Sequence, residues 1–578
     1  MAHPAALLAP RFETALTAAF GAAHSATDPL LRPSQHADLQ ANLAMGLGKA
    51  LGRKPREVAQ ALVDHLEVTD LCREVTIAGP GFINLDLRPE VLAGLVAQLD
   101  GPRLGVALVA GPETVVVDYS GPNVAKEMHV GHLRSTILGD ALVRVLQFVG
   151  HRVIRQNHLG DWGTNFGMLI EHLVDLGDEA AAETLSVGDL ARFYTDARRK
   201  FEDDPGFAER ARARVVQFQS GDPGSLALWH RLIDESGRYF DEVYRRLDVT
   251  LTPADTAGES FYNDMLAEVA DELVARGLAV MDDGALCVYP PGFAGRDGTP
   301  FPIIVRKSDG GFNYEATDLA AIRHRTVTRG ATSLLYVIGA PQARRLAMLF
   351  TVAEMAGWLG GGARAEHVAF GSVLGTDGKM FRTRAGESVR LADLLDEAVS
   401  RAAAVVAEKN PALDETTRSE VAGAVGIGAV KYADLSNDRV KDYVFDFDRM
   451  LSFEGDTAPY LQYAHARIRS IFRRAQVNPH QLDPGLLLLD HRAERRLALQ
   501  LVGFEPAVMS TAAHRQPHRL CTFLFGVAQA FTSFYEACPV LKADSTDAKM
   551  SRLVLCDRTA RVLRTGLGLL GIGAPEQL

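Results

Sequence analysis

The sequence predicts a multidomain α/β protein: a parallel-sheet domain carrying an insertion, a small α/β unit before it and an all-helical region after it. Three observations predict this. At 578 residues the chain exceeds what one hydrophobic core organises. Between about residues 109 and 390, short β-branched runs alternate with helical periodicity. Beyond residue 391 the apolar spacing is helical almost throughout.

Residues 1–108 read as a separate small α/β domain. Helical periodicity covers 39–51 and 55–66, and 75–85 reads as two strands about Gly79-Pro80-Gly81. The second domain, 109–390, opens on Val115-Val116-Val117, an apolar run that suits a strand buried on both faces. The loop Asp118-Tyr-Ser-Gly-Pro-Asn-Val-Ala-Lys-Glu-Met-His-Val-Gly-His132 follows. Leu133, Ile137, Leu142, Val145 and Leu146 then recur at helical spacing, Gly150 stops that helix, and Val153-Ile154 starts another strand. The loop therefore sits at the carboxyl end of a strand, where open parallel sheets bind ligands. A charged, largely helical insertion, about 171–300, separates this half from a second one. Runs at 302–306, 334–338 and 367–370 predict the remaining strands of a split, Rossmann-like sheet. A helical connecting region occupies 391–455, amphipathic at 393–406 and 420–430, and a helical bundle occupies 456–578.

Composition narrows the function classes. With 47% hydrophobic and 23% charged residues, the chain is an ordinary globular one. No apolar run approaches the roughly 20 residues that span a bilayer, and the amino terminus lacks the basic start of a secretion signal. Cys72, Cys287, Cys521, Cys538 and Cys556 are scattered without a C-x-x-C pair, which argues for reduced thiols in a cytoplasmic protein and against a zinc ribbon. The net charge of −11 is unusual for a protein that binds RNA, yet affinity for phosphates depends on local surface. Residues 465–520 hold nine arginines against four acids. An arginine-bearing helix is as often a solvated face, so this stretch alone does not decide. Gly566-Leu-Gly-Leu-Leu-Gly571 has dinucleotide-site spacing, but no strand precedes it, and Gly375-Thr-Asp-Gly-Lys379 lacks the spacing of a Walker A loop.

Two stretches carry chemistry. His129 and His132 stand three residues apart at a helix start, where free N–H groups and the helix dipole favour anions. Gly131 between them admits a close ligand, and Pro122 stiffens the loop. An isolated H-x-G-H is weak evidence, and no third Cys or His at ligand spacing makes it a metal pair. The second stretch, Gly378-Lys-Met-Phe-Arg-Thr-Arg-Ala-Gly386, places three cations in six residues between glycines, a basic loop able to cover phosphates.

The longer string Ser120-Gly-Pro-Asn-Val-Ala-Lys-Glu-Met-His-Val-Gly-His-Leu-Arg-Ser-Thr136 resembles the signature of class I arginyl-tRNA synthetases, in which H-x-G-H grips ATP. The similarity continues through His158-Leu-Gly-Asp-Trp-Gly-Thr-Asn165 and runs nearly end to end. It implies an arginine–tRNA ligase that joins L-arginine to ATP, releases pyrophosphate, and passes arginine to the 3′-terminal ribose of tRNA(Arg). By this resemblance His129, Gly131, His132, Lys379, Met380 and Arg382 would bind ATP, with Lys126 sharing the charge work of the two histidines, Lys379 and Arg382. Where class I synthetases carry K-M-S-K-S this chain has Lys379-Met-Phe-Arg-Thr383, so the serine is missing and Arg382 keeps a cation in the fourth place. Asp118 and Asp318 would hold the arginine side chain, Tyr314 would pack against it, and Asn123 and Gln342 would fix its polar atoms. Some relatives have histidine three residues after that glutamine; this chain has Arg345, which receives no role. The first domain would touch the tRNA elbow. The string 451–467 is similar to the start of the family's anticodon-binding bundle, with Tyr460, Arg467 and, later, Tyr535 as candidate tRNA contacts. The resemblance further implies Mg2+ with the ATP, no structural metal, no DNA or membrane partner, and a cytoplasmic monomer. A small-molecule nucleotidyltransferase on the same sheet, or a tRNA-binding paralogue without catalysis, are the rival expectations. The first would not need the accessory domain or the long arginine-bearing bundle, and the second would be expected to have lost His129, His132 or Asp318.

Overall fold

Four parallel strands form the scaffold of the computed structural model, which describes residues 3–177, 190–381 and 389–578. Across the sheet they run Arg364–His367, Ser333–Tyr336, Thr114–Asp118 and Arg152–Gln156. Alternate residues of one strand feed two cores, one on each face. Val115, Val117 and Leu335 belong to one, and Val116, Leu334 and Tyr336 to the other. That two-sided burial is why these strands read as unbroken apolar runs in the sequence. The Thr114–Asp118 strand pairs on one side with the strand that follows it and on the other with one from far along the chain. This reversal opens a crevice at the strands' carboxyl ends. The helix Val130–Phe148, sheet-facing and almost wholly buried, leads out of that crevice.

Two strand expectations need correction. The apolar run at 302–306 does form a strand, Ile303–Arg306, but it joins Ala279–Asp282 and Ala285–Val288 in a separate antiparallel sheet. Periodicity cannot assign a strand to a sheet. The run at 367–370 enters the parallel sheet only at His367, whose strand begins at Arg364; Phe370 instead accepts a hydrogen bond from the Ala340 amide. Within the insertion, Leu190–Asp203, Pro205–Gln219, Pro223–Arg246 and Leu266–Ala275 are helices.

The amino-terminal unit has its own apolar core and a four-stranded antiparallel sheet, ordered Leu31–Pro33, Leu39–Ala41, Phe82–Leu87, Cys72–Ala78. The periodic stretch at 39–51 splits at Asn42 into that short strand and a helix, Leu43–Leu51. At the other end Ala458–Ala475, Arg492–Leu501, Phe504–His514, His518–Ala537 and Thr546–Leu569 form the helical bundle. The glycine-spaced motif at 566–571 is the last turn of the final helix and its exit. Arg495 of the bundle pairs with Asp38 and donates to the Leu87 carbonyl (2.9 Å), and Arg492 donates to the Gln35 carbonyl. Part of the basic stretch at 465–520 thus ties the first unit to the last. All five cysteines are buried and free of disulfide bonds, and among the described residues no helix is long and apolar enough to cross a membrane.

Candidate active site

At the crevice lies a cavity of about 300 Å³. Its wall combines Asp118 and Ser120 at the end of one strand, Tyr336, Val337 and Ile338 at the end of its neighbour, and Gly131, His132 and Ser135 from the helix between. Asn123, His158, Glu259, Asp318 and Arg345 complete the polar lining.

The loop that enters the cavity is held in a conformation its own sequence does not favour. Ser120 and Ala125 are both left-handed, with φ of 72° and 60°. Such backbone persists only where surrounding contacts over-determine it. Those contacts come from the insertion. In the helix Pro223–Arg246, Ser236 Oγ accepts from the Ala125 amide (2.9 Å), and the Tyr239 hydroxyl from the Met128 amide (3.2 Å). The Tyr244 hydroxyl lies 2.7 Å from Ser120 Oγ and accepts from Asn157 Nδ2 (3.0 Å). Close packing completes the loop: a Cβ on Gly160 would meet Asn123 Oδ1 at 2.2 Å, and one on Gly139 would meet Tyr119 at 2.3 Å.

The two histidines face each other with ring centroids 4.0 Å apart. His129 Nδ1 accepts from the Gly131 amide (3.0 Å), and His132 Nδ1 accepts from the His129 amide (3.1 Å). With Nδ1 accepting, a neutral ring carries its proton on Nε2 and offers that N–H outward. Both rings are neutral at physiological pH: burial, then Lys126, lowers His129, and burial, then His129, takes His132 down to about 3. A Cβ on Gly131 would lie 2.7 Å from the His129 ring, so a larger residue there would push that ring from its place.

Both expected carboxylates line the cavity, and each faces an arginine of the chain itself. Asp118 meets Arg325 at 2.8 Å, and Arg325 is only 1% exposed, its guanidinium 5.2 Å from the Tyr336 ring centre. Asp318 pairs with Arg345, whose guanidinium lies 4.7 Å from the ring centre of Tyr314. Burial raises the Asp318 carboxyl above its ordinary range, and Arg345 opposes that rise. Glu259, half-buried on the same wall, is pushed up to about 7 by burial and by Asp161 and Asp318. Gln342 is exposed at the end of the short turn Ala340–Gln342, beside but not within the cavity wall.

The second motif begins outside the crevice cavity. Lys379 and Met380 line an open depression with Arg401 and 445–448, and Leu374 bridges Met380 in a tight turn. Arg382 lies outside the described residues. At the far end of the loop the Val389 carbonyl accepts from the Val130 amide (3.0 Å), and the Leu391 amide donates to Met128 (2.9 Å). Val389 and Leu391 are therefore tied to the histidine turn itself. Lys126 does not line the cavity; its Nζ lies 4.3 Å from the ring centre of Tyr194 in the insertion. Among the described residues no group of three His, Cys, Asp or Glu side chains could hold a metal ion.

Three family profiles match the chain without overlap: "tRNA synthetases class I (R), catalytic domain" over 101–447, "Arginyl tRNA synthetase N terminal domain" over 7–87, and "DALR anticodon binding domain" over 461–578. The chain belongs to the arginyl-tRNA synthetase family. Relatives described as arginine–tRNA ligases include that of Thermobifida fusca, 56% identical over the whole of both chains, and that of Synechococcus elongatus, 48% identical over the whole of both. Among solved structures, the Plasmodium falciparum arginyl-tRNA synthetase covers 98% of each chain at 28% identity with a TM-score of 0.81.

In the bundle, Arg467 and Tyr535 line a second cavity of about 560 Å³ with Tyr463, Arg473, Arg474 and Lys542. The Arg467 guanidinium lies between two rings, 4.7 Å from Tyr463 and 5.3 Å from Tyr535. Tyr460 is placed differently: its hydroxyl is 3.1 Å from Thr532 Oγ1 and its ring meets Phe525, inside the helix–helix junction. Several residues that matter here were invisible to sequence reading. Glu259, Arg325, Tyr336 and the insertion's Ser236, Tyr239 and Tyr244 belong to no motif, and only the fold brings them to the loop.

Proposed function

We propose that the crevice cavity activates L-arginine with ATP and that the adjoining bundle presents tRNA to it. The chain is an arginine–tRNA ligase of class I; the finer assignments of residues rest on geometry. The single observation that carries them is that His132 and Asp318 line one cavity. An ionised carboxylate of arginine is already nucleophilic and needs no base. It attacks the α-phosphorus of ATP, pyrophosphate leaves, and arginyl-adenylate forms. The 3′-terminal ribose hydroxyl of tRNA(Arg) then attacks the carbonyl and AMP leaves.

The chain's residues act on charge and position. The Nε2–H groups of His129 and His132 donate to phosphate oxygens, at the positive end of the helix dipole. Lys379 and Arg382 add cations over the pyrophosphate with Met380 beside them, and Lys126 swings from Tyr194 to add another. Mg2+ arrives with the triphosphate as part of the substrate and offsets its charge. Asp318 accepts the substrate guanidinium, Tyr314 covers its face, and Asp118 supports the site through its pair with Arg325. Asn123 and Gln342 hold the amino and carboxylate groups of the arginine. Arg467 and Tyr535 contact unpaired bases of the anticodon by phosphate pairing and stacking, with Tyr460 shaping the helices behind them. We assign 1–108 to the tRNA elbow, 109–390 to catalysis and 456–578 to the anticodon, joined by 391–455, in a cytoplasmic monomer.

ATP–pyrophosphate exchange with each of the free amino acids, in the presence of tRNA, tests the substrate. Exchange is expected with arginine and at background with lysine, which lacks the planar fork. Comparable exchange with lysine would remove the role given to the carboxylates.

A further inference from the structure

The chain builds the same guanidinium seat twice. In each, a carboxylate takes the edge of an arginine and a tyrosine takes its face: Asp118 and Tyr336 around Arg325, Asp318 and Tyr314 around Arg345. The two occupants differ in freedom. Arg325 is sealed in the core, 1% exposed. Arg345 stands at the cavity wall with its side chain 35% exposed, in the first turn of the helix Ala343–Met355. A long flexible side chain anchored at one carboxylate, with open space beside it, has another place to go.

We propose that Arg345 is a built-in stand-in for the substrate: its guanidinium occupies the Asp318–Tyr314 seat, and free arginine binds by displacing it. This rests on the assignment of that seat to the substrate side chain. An intramolecular competitor raises the apparent dissociation constant of every ligand of the seat by one common factor, set by the fraction of time the seat is closed. It does not touch ligands that bind elsewhere. Arg345 acts here on affinity and not on the chemical step. A residue that instead held the substrate carboxylate would have the opposite signature, since its loss would weaken arginine and leave agmatine, which has no carboxylate, unchanged.

Calorimetric titration of the full chain with L-arginine, agmatine and ATP separates these outcomes. In Arg345→Met, arginine and agmatine are expected to tighten together by about threefold to thirtyfold, with ATP unchanged. Arg344→Met removes a neighbouring charge outside the seat, where Arg344 donates to the Ala294 carbonyl at 2.5 Å, and is expected to change nothing. Should Arg345→Met not bind ATP, and so not be folded, Arg345→Lys carries the test: it keeps the charge but loses the fork, and both guanidinium ligands still tighten. Unchanged or weaker arginine binding in the folded variant overturns the proposal, as does tightening of equal size in Arg344→Met. Asp318→Asn keeps the two failures apart. If it still binds arginine like the parent, the seat itself is misassigned; if it loses arginine and Arg345→Met does not tighten, only the stand-in role fails.

Discussion

Single residues in the cavity are arranged so that ordinary groups act without leaving their ordinary states. Burial keeps the two histidines neutral, and each turns its Nε2–H outward because its Nδ1 is occupied by a backbone amide. Their sequence spacing was legible, but which nitrogen faces out was not, since that follows from the turn geometry. Glu259 is the opposite case, a carboxyl pushed up to about 7 with no motif to announce it. A cation entering beside it favours the ionised form, so binding releases a proton wherever Glu259 is still protonated. Arginine affinity is therefore expected to rise with pH below about 7, approaching tenfold per unit for one linked proton, and to level off above. Calorimetry across that range checks it; the dependence should flatten in Glu259→Gln, and an unaltered slope in that variant would exclude this group.

At the scale of elements, the signature loop depends on a helix more than 100 residues away. Sequence reading recognised the loop and the helix that follows it, because strand, loop and helix are consecutive and their periodicities change visibly. It read the insertion as a charged, largely helical stretch and assigned it no part in the site. Ser236, fully buried on that insertion, is the acceptor for the left-handed Ala125 amide. Ser236→Ala leaves a buried N–H without a partner, at a cost of about 1–3 kcal/mol. Denaturant unfolding is expected to show that loss, and pyrophosphate exchange should fall with it as the loop relaxes. Full exchange activity at reduced stability would mean the loop holds its shape unaided. The strand at Ile303–Arg306 marks the same limit: its composition was plain, and its sheet was decided by a partner hairpin that local pattern does not encode.

At the scale of the whole molecule, three units meet on the signature helix and on each other. Arg134 of that helix is buried against Asp434 (3.1 Å) and donates to the Lys441 carbonyl (3.0 Å) in the connecting region. Lys431, held down to about 8 by burial, donates to the Leu247 carbonyl (2.6 Å), and a Cβ on Gly571 at the bundle's exit would lie 2.5 Å from its Nζ. Domain order was readable from the changes in apolar periodicity along the chain, while these junctions are made by single buried polar groups that resemble surface residues in the sequence. The first unit is fastened in the same way, through Arg495 and Asp38, whose side chains are 8% and 9% exposed. Removing one partner of such a pair costs about 3–5 kcal/mol. Arg495→Ala is expected to loosen the first unit from the bundle, seen as faster hydrogen exchange in 31–41 and 72–87 with the parallel sheet unchanged; uniform exchange would mean that apolar packing alone holds it.

The cavity is held to select a forked cation with Asp318 while the histidine turn binds nucleotide independently. Steady-state pyrophosphate exchange by Asp318→Asn, with tRNA present and arginine and ATP varied in turn, tests this most directly. The expected result is a loss of about 100-fold or more in kcat/KM for arginine, as one charge-assisted partner worth ~3 kcal/mol disappears, with the KM for ATP changed less than about threefold. Equal losses for arginine and ATP, or none for arginine, would contradict it.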